Sequence, residues 1–115
     1  MITDKLKEYL IAEVKDVIAA GQIGYGGNST NPLATTLDVP SGVTITGGNL
    51  VEELSEYNVL EVKLSIAGSA IQGKVIREMG LFDGSGVLLA RENFDGVGPF
   101  STTETLEIFY IIEVE

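Results

Sequence analysis

The amino-acid sequence predicts a mainly β protein, an antiparallel β-sandwich with one N-terminal α-helix. Three observations carry that reading. Leu60, Val62, Leu64 and Ile66 alternate with Glu61, Lys63 and Ser65, the period-2 pattern of a strand with one dry and one wet face. The run Asp83-Gly84-Ser85-Gly86 separates two apolar stretches, as a hairpin connection does. Near the start, Leu6, Leu10, Val14, Val17 and Ile18 recur at helical spacing with no proline or glycine between them.

The helix is expected over residues 1–21. Thr3 or Asp4 can cap its start, and Gly21 stands where a glycine commonly ends a helix. Tyr9 and Ile11 flank the apolar stripe, which must pack on the chain's own sheet or on a neighbouring subunit. Residues 22–58 are rich in Gly, Asn, Ser, Thr and Pro, and read as a loop region with short strands near 23–25 and 43–46. So long a connection is uncommon in a compact domain and is usually functional or ordered by a neighbour.

Residues 59–115 read as the antiparallel core. Its strands are expected at 60–66, 73–82, 87–94 and 105–115, with Asp83-Gly84 supplying the positive φ of a tight turn. The last strand sets Leu106, Ile108, Tyr110, Ile112 and Val114 on one face. Phe109 and Ile111 share the other with Glu107, Glu113 and Glu115. Both faces are apolar in the middle, so the second is expected to be covered, by the N-terminal helix first and by another subunit second. Leu10, Val14, Ile18, Tyr25, Phe109 and Ile111, with the loop 24–31, are the candidate interface.

At 115 residues the chain fits one domain, long enough to bury a core without disulfide or metal support. It has no cysteine and no histidine. That removes thiol nucleophiles, imidazole bases, Ser-His-Asp triads, cysteine zinc sites and histidine-ligated haem. Seventeen acidic residues against 7 basic ones give a net charge of −10, which repels nucleic-acid phosphates and anionic lipid. A hydrophobic share of 44% is too high for disorder, and part of that apolar surface is expected to meet other chains. The N-terminal residues carry Asp4, Lys5, Lys7 and Glu8 where a signal peptide needs an apolar core, so synthesis in a cytoplasm is expected.

Several motifs invite chemistry and fail. Gly68 to Lys74 satisfies G-x-x-x-x-G-K, but Val75 stands where a P-loop needs Ser or Thr, and a strand follows where it needs a helix. Gly24-Tyr25-Gly26-Gly27 is an incomplete dinucleotide loop without a βαβ unit around it. Asn28-Ser29-Thr30 fits the glycosylation sequon without a secretory signal. Glu52, Glu53 and Glu56, or Glu78, Asp83, Glu92 and Asp95, offer carboxylates for a glycosidase pair. With no tryptophan and only 4 Tyr and 4 Phe, solvated surface acids are the better account. Asp83, Asn93 and Asp95 offer oxygens to calcium, yet no twelve-residue EF-hand loop is present. Glu78 shares a strand face with Ile76 and Phe82, a half-buried position where Arg77, Arg91 or loop amides must satisfy its charge. It reads as a structural carboxylate that pins a loop.

The run Ile76-Arg77-Glu78-Met79-Gly80-Leu81-Phe82-Asp83, then Gly86-Val87-Leu88-Leu89-Ala90-Arg91, then Phe94, resembles the I-x-E-x-G-L-F-D…G-x-L-x-A-R…F pattern of tail-collar fibre, neck-fibre and related virion proteins of tailed phages. The specific match spans about 40 of the 115 residues, and the opening helix, the Gly/Asn/Thr-rich segment and the closing strand follow the same outline. The resemblance implies a structural virion role without enzymatic activity, in a small β-sandwich that oligomerises at the neck, tail or fibre base. It makes Glu78, Gly80, Leu81, Phe82, Asp83, Gly86, Arg91 and Phe94 a structural motif. The chain lacks the long shaft and receptor-binding tip of typical family members, which favours an attachment or neck-level module.

The expectation is therefore a virion protein made in the host cytoplasm, assembled as a homo-oligomer, with a trimer the leading order, and with other neck or tail proteins. Neither nucleic acid nor membrane is an expected partner, and no catalytic, cofactor-binding or metal-binding residue is assigned. The rival reading is a free-standing carbohydrate-binding β-sandwich that uses Tyr25 or Tyr57 as a sugar platform. A third is a small hydrolase built on a Glu pair that includes Glu78.

Overall fold

The structure, a computed structural model, describes residues 1–26 and 33–115. It is mainly β: two antiparallel sheets packed as a sandwich, preceded by one α-helix. Helix α1 (Asp4–Val17) leads into β1 (Ala20–Gly24), β2 (Pro40–Ile45), β3 (Leu50–Glu56), β4 (Val59–Ala67), β5 (Ile76–Phe82), β6 (Leu88–Val97) and β7 (Thr105–Glu113). The larger sheet has the order β2-β1-β5-β6 and the smaller β3-β4-β7, so β2, β3, β6 and β7 are edges.

Strand β4 is the spine of the smaller sheet. Its alternation is read out directly: Leu60, Val62, Leu64 and Ile66 are buried and face the larger sheet. Opposite them on β7 stand Ile112, Tyr110, Ile108 and Leu106. Ile23, Ile76, Met79 and Leu81 close the core from the other side. Each such side chain contributes roughly 1.5–3 kcal/mol by leaving water, which is what holds two sheets with few charges between them together.

The helix departs from expectation at both its end and its face. It stops at Val17, and Ile18 is already extended (φ −71°, ψ 121°). Gly21 is therefore no helix cap; it lies buried in β1, opposite Leu81 of β5 and Ile45 of β2. Thr3 is the N-cap, its hydroxyl accepting from the Leu6 amide at 3.4 Å. The buried line runs through Ile11, 1% exposed, and Ile18, while Leu10 is 42% exposed. Val14 is half-buried against the core. The apolar arc is broader than the inner surface that receives it, and contact with both sheets selects Ile11 over Leu10.

Two further expectations are corrected. The region 22–58 holds a full third strand, β3, paired with β4 from Leu50↔Leu64 to Glu56↔Val59. The hairpin turn after β5 falls where expected, but the glycine in the left-handed region is Gly86 (φ 82°), not Gly84. Asp83 shapes the turn instead: its Oδ1 accepts from the amides of Ser85 and Val87, each at 2.9 Å.

The helix does not cover the second face of β7. It lies on the inner side, where Val14, Val17 and Ile18 line one groove with Leu81 and Ala90 of one sheet and Tyr110 and Ile112 of the other. Phe109 and Ile111 remain 55% and 62% exposed on the outside.

Candidate assembly interface

Strand β5 carries Met79 and Leu81 into the core and, by alternation, Glu78 and Gly80 onto the opposite face, where Leu37 packs over them. Glu78 is fully buried at 0% exposure, deeper than the half-buried position expected of it. Its Oε1 accepts from the Asp38 amide at 2.7 Å, and its Oε2 accepts from Val39 and Gly26 amides at 2.8 and 3.2 Å. Arg91, delivered by β6, donates Nη2 to Glu78 Oε1 at 3.3 Å and Nη1 to the Thr36 carbonyl at 3.0 Å, and pairs with Asp38 at 3.2 Å. Of the groups the sequence offers, loop amides and Arg91 reach Glu78, and Arg77 is exposed. Gly24 permits the close approach: a Cβ there would stand 2.6 Å from Glu78 Oε2 and 2.6 Å from the Val39 carbonyl oxygen. The remaining motif residues complete the same hairpin. Leu81 and Phe82 are buried, Asp83 and Gly86 form the turn, and Phe94 packs half-buried on the core.

The second constellation is the free side of β7. Two backbone bonds set the hydrogen-bonding phase of this strand. Gly68 N–H donates to the Glu104 carbonyl at 2.7 Å, and Val114 N–H to the Asn58 carbonyl at 3.0 Å. Both belong to the register in which Leu60 faces Ile112 and Leu64 faces Ile108. In an antiparallel ladder bonded and unbonded pairs alternate, so the even residues of β7 bond to β4. The odd residues Thr105, Glu107, Phe109, Ile111 and Glu113 turn their N–H and C=O groups to the open edge. The exposed Phe109 and Ile111 are thus also the residues whose backbone is unpaired.

Beside that edge, between β6, β7 and the C-terminal half of α1, lies a groove of about 300 Å³ lined by Val14, Val17, Ile18, Leu81, Leu89, Ala90, Tyr110 and Ile112. Val17 and Leu89 are exposed at its mouth. Burial, and then the nearby charge of Glu92, raise the Tyr110 phenol above its usual range.

The outer face of the smaller sheet is apolar in the centre and acidic around it. The register sets Val51 beside Lys63 and Lys63 beside Phe109, then Glu53 beside Glu61 and Glu61 beside Ile111. Glu107 and Glu113 stand beyond. Among the described residues the ion pairs are Lys5–Glu8, Arg91–Asp38 and Arg91–Glu78, so neither these four carboxylates nor Lys63 is paired. Like charges directly opposite on a sheet, as Glu53 and Glu61 are, destabilise it. On the inner face of β3, Glu52 carries an Oε1 buried without a partner. Burial holds its carboxyl above the ordinary range, with Lys15 opposing the shift and Asp16 adding to it.

The remaining candidates do not converge. Leu10 is exposed on the helix, whereas Ile18 is inside the core and offers no surface to a neighbour. Tyr25 follows β1 in the larger sheet with Lys74 Nζ 5.7 Å from its ring, whereas Tyr57 sits in the β3–β4 turn of the smaller sheet. The charge of Asp4, above all, pushes the Tyr57 phenol up. Glu52 and Glu53 point to opposite faces of β3. Gly68–Ala70 is a 3-10 turn, and β5 follows where a P-loop would need a helix. Among the described residues no group of three or more acidic side chains is placed to hold a metal ion, and no helix is long and apolar enough to cross a membrane. The sequon Asn28-Ser29-Thr30 and the part of the 24–31 interface loop from 27 onward lie outside the described residues.

Comparison of the chain with protein-family models and with curated proteins gives no match. Sequence reasoning missed Val17 and Leu89 as groove residues and Glu52 as a half-buried acid with one buried oxygen. Leu88-Leu89 does carry a signal, since two successive apolar residues on an edge strand cannot both face one core.

Proposed function

We propose that the protein is a structural component of a tailed-virus particle, at the neck, tail or fibre base, and that it works by assembly with copies of itself and with neighbouring virion proteins. The observation that carries the assembly reading is the pairing of unbonded backbone with exposed apolar side chains at Phe109 and Ile111. An edge strand of this kind is a template for another chain unless it is covered. The virion assignment rests on the I-R-E-M-G-L-F-D…G-V-L-L-A-R…F motif, whose Glu78 and Arg91 lock a loop to the β5–β6 hairpin. Such a lock builds rigidity and leaves no reactive group exposed.

The experiment has two arms. Sedimentation velocity of the purified protein should show concentration-dependent association through the exposed Phe109 and Ile111 side chains on the outer face of the smaller sheet, with the β7 backbone edge left open, and Phe109→Asp should abolish it. In virus particles carrying this gene, the wild-type protein should be retained through purification and the Phe109→Asp protein lost. Unchanged retention of the variant would overturn the interface, and absence of the wild-type protein from particles would overturn the virion role.

A further inference from the structure

Resting on that assembly reading, we infer that the open edge of β7 accepts an added strand from a different protein, apolar at alternate positions and basic at its ends. Three features of the edge meet in one place. The odd residues from Thr105 to Glu113 present unpaired N–H and C=O groups along a 9-residue strand. An incoming strand alternates its side chains between two sides. Those turned inward enter the groove between β6, β7 and α1, against Val17, Leu89, Tyr110 and Ile112. Those turned outward lie beside Phe109 and Ile111 and shield them from water. The incoming main chain supplies affinity and the groove supplies selectivity, the usual division in strand addition.

Charge decides the occupant. Glu107 and Glu113 bracket the apolar centre on β7, Glu61 and Glu53 continue the acidic rim, and the whole chain carries −10. A second copy of β7, added antiparallel about Tyr110, sets Glu107 against Glu113 of that copy twice over. Like charges facing across a ladder oppose that pairing at this edge. Lysine or arginine at the ends of the added strand instead meets unpaired carboxylates. Electrostatic complementarity of this kind mainly sets partner choice and association rate.

The test uses the full chain and a synthetic 9-residue peptide, the length of β7, with valine and threonine alternating and two lysines at each end. Amide exchange is followed by NMR. With the peptide at about ten times its dissociation constant, exchange of the Glu107, Phe109 and Ile111 amides should slow about tenfold. Tyr110 and Ile112, already bonded to β4, should change little. A peptide with glutamates in place of the lysines should protect less, and raised salt should weaken the lysine peptide. Ile111→Lys, which leaves the core intact, should also reduce protection.

Protection of all amides alike, or of none, would overturn the added strand. Equal protection by both peptides would overturn the basic partner. Concentration-dependent protection of the odd amides without any peptide would make the occupant a second copy and overturn the inference as stated. If the odd amides stay open while Phe109→Asp still abolishes particle incorporation, strand addition fails and the assembly reading stands.

Discussion

Glu78 and Arg91 lie thirteen residues apart on neighbouring strands, and Arg91 Nη2 donates to Glu78 Oε1 at 3.3 Å from a position that leaves the carboxylate without any contact with water. Three backbone amides from residues 26, 38 and 39 complete the anion's shell. A buried charge is tolerable only when so fully answered, and here the answer comes from the segment that follows β1. The carboxylate therefore fixes the far side of that connection to the middle of the larger sheet.

Glu78→Gln tests this directly. It keeps the shape, removes the charge and sets an NH2 group against amide donors. The expected loss is about 1–3 kcal/mol of unfolding free energy, because the buried amide donors lose their anionic acceptor while Arg91 keeps Asp38 as a counter-ion. Urea denaturation should show the midpoint falling with little change of slope.

Gly24→Ala should be destabilising for a different reason. The new methyl carbon has the Val39 carbonyl oxygen at 2.6 Å, and a backbone atom cannot swing aside as a side chain can. Overpacking of this kind costs about 1–3 kcal/mol. Thermal unfolding followed by circular dichroism measures it, and exchange at the Asp38 and Val39 amides should quicken.

Glu52 provides a pH test. Burial raises its folded pKa above the ordinary value of 4.5. An acid shifted upward binds its proton more readily in the folded chain, so its charged form lowers stability at neutral pH. That penalty fades as the pH falls through the raised value and is gone below 4.5. Glu52→Gln should accordingly have the higher urea midpoint at pH 7, and the two curves should converge in acid. A constant gap at every pH would assign the effect to packing.

Phe109→Thr separates folding from assembly. Threonine keeps strand propensity, and the lost side chain is more than half exposed. Unfolding free energy should stay within about 1 kcal/mol of the parent, while association measured by sedimentation should be lost. A large drop in stability would mean that the ring supports the sheet rather than a neighbour.

What the sequence made legible is what local chemistry decides. The alternation from Leu60 to Ile66 needs no partner to be seen, and Asp83 marks its turn by a side chain that closes on its own backbone. The acid at 78 is legible as a group requiring partners because the alternation of the sequence sets it on one strand row with the apolar Ile76 and Phe82. The helix face was not legible. Leu6, Leu10, Ile11, Val14, Val17 and Ile18 form one wide arc, and only the shape of the space between the sheets chooses Ile11 and Ile18 from it. Strand β3 hid behind Glu52, a charge on the inward row between Leu50 and Leu54 that breaks the apolar alternation. The groove was beyond reach for the same reason as the helix face: three separate elements build its wall.

One property of β7 reaches past any single contact. Its two rows of side chains share a backbone, so a single extra residue inserted between Ile108 and Phe109 would exchange the rows downstream, turning Tyr110 and Ile112 outward and Ile111 inward. Core closure and docking strip would fail together. Insertion of a pair would keep each row on its own side and merely slide the strip along. Length variation at this point of the chain is therefore tolerable in even steps only.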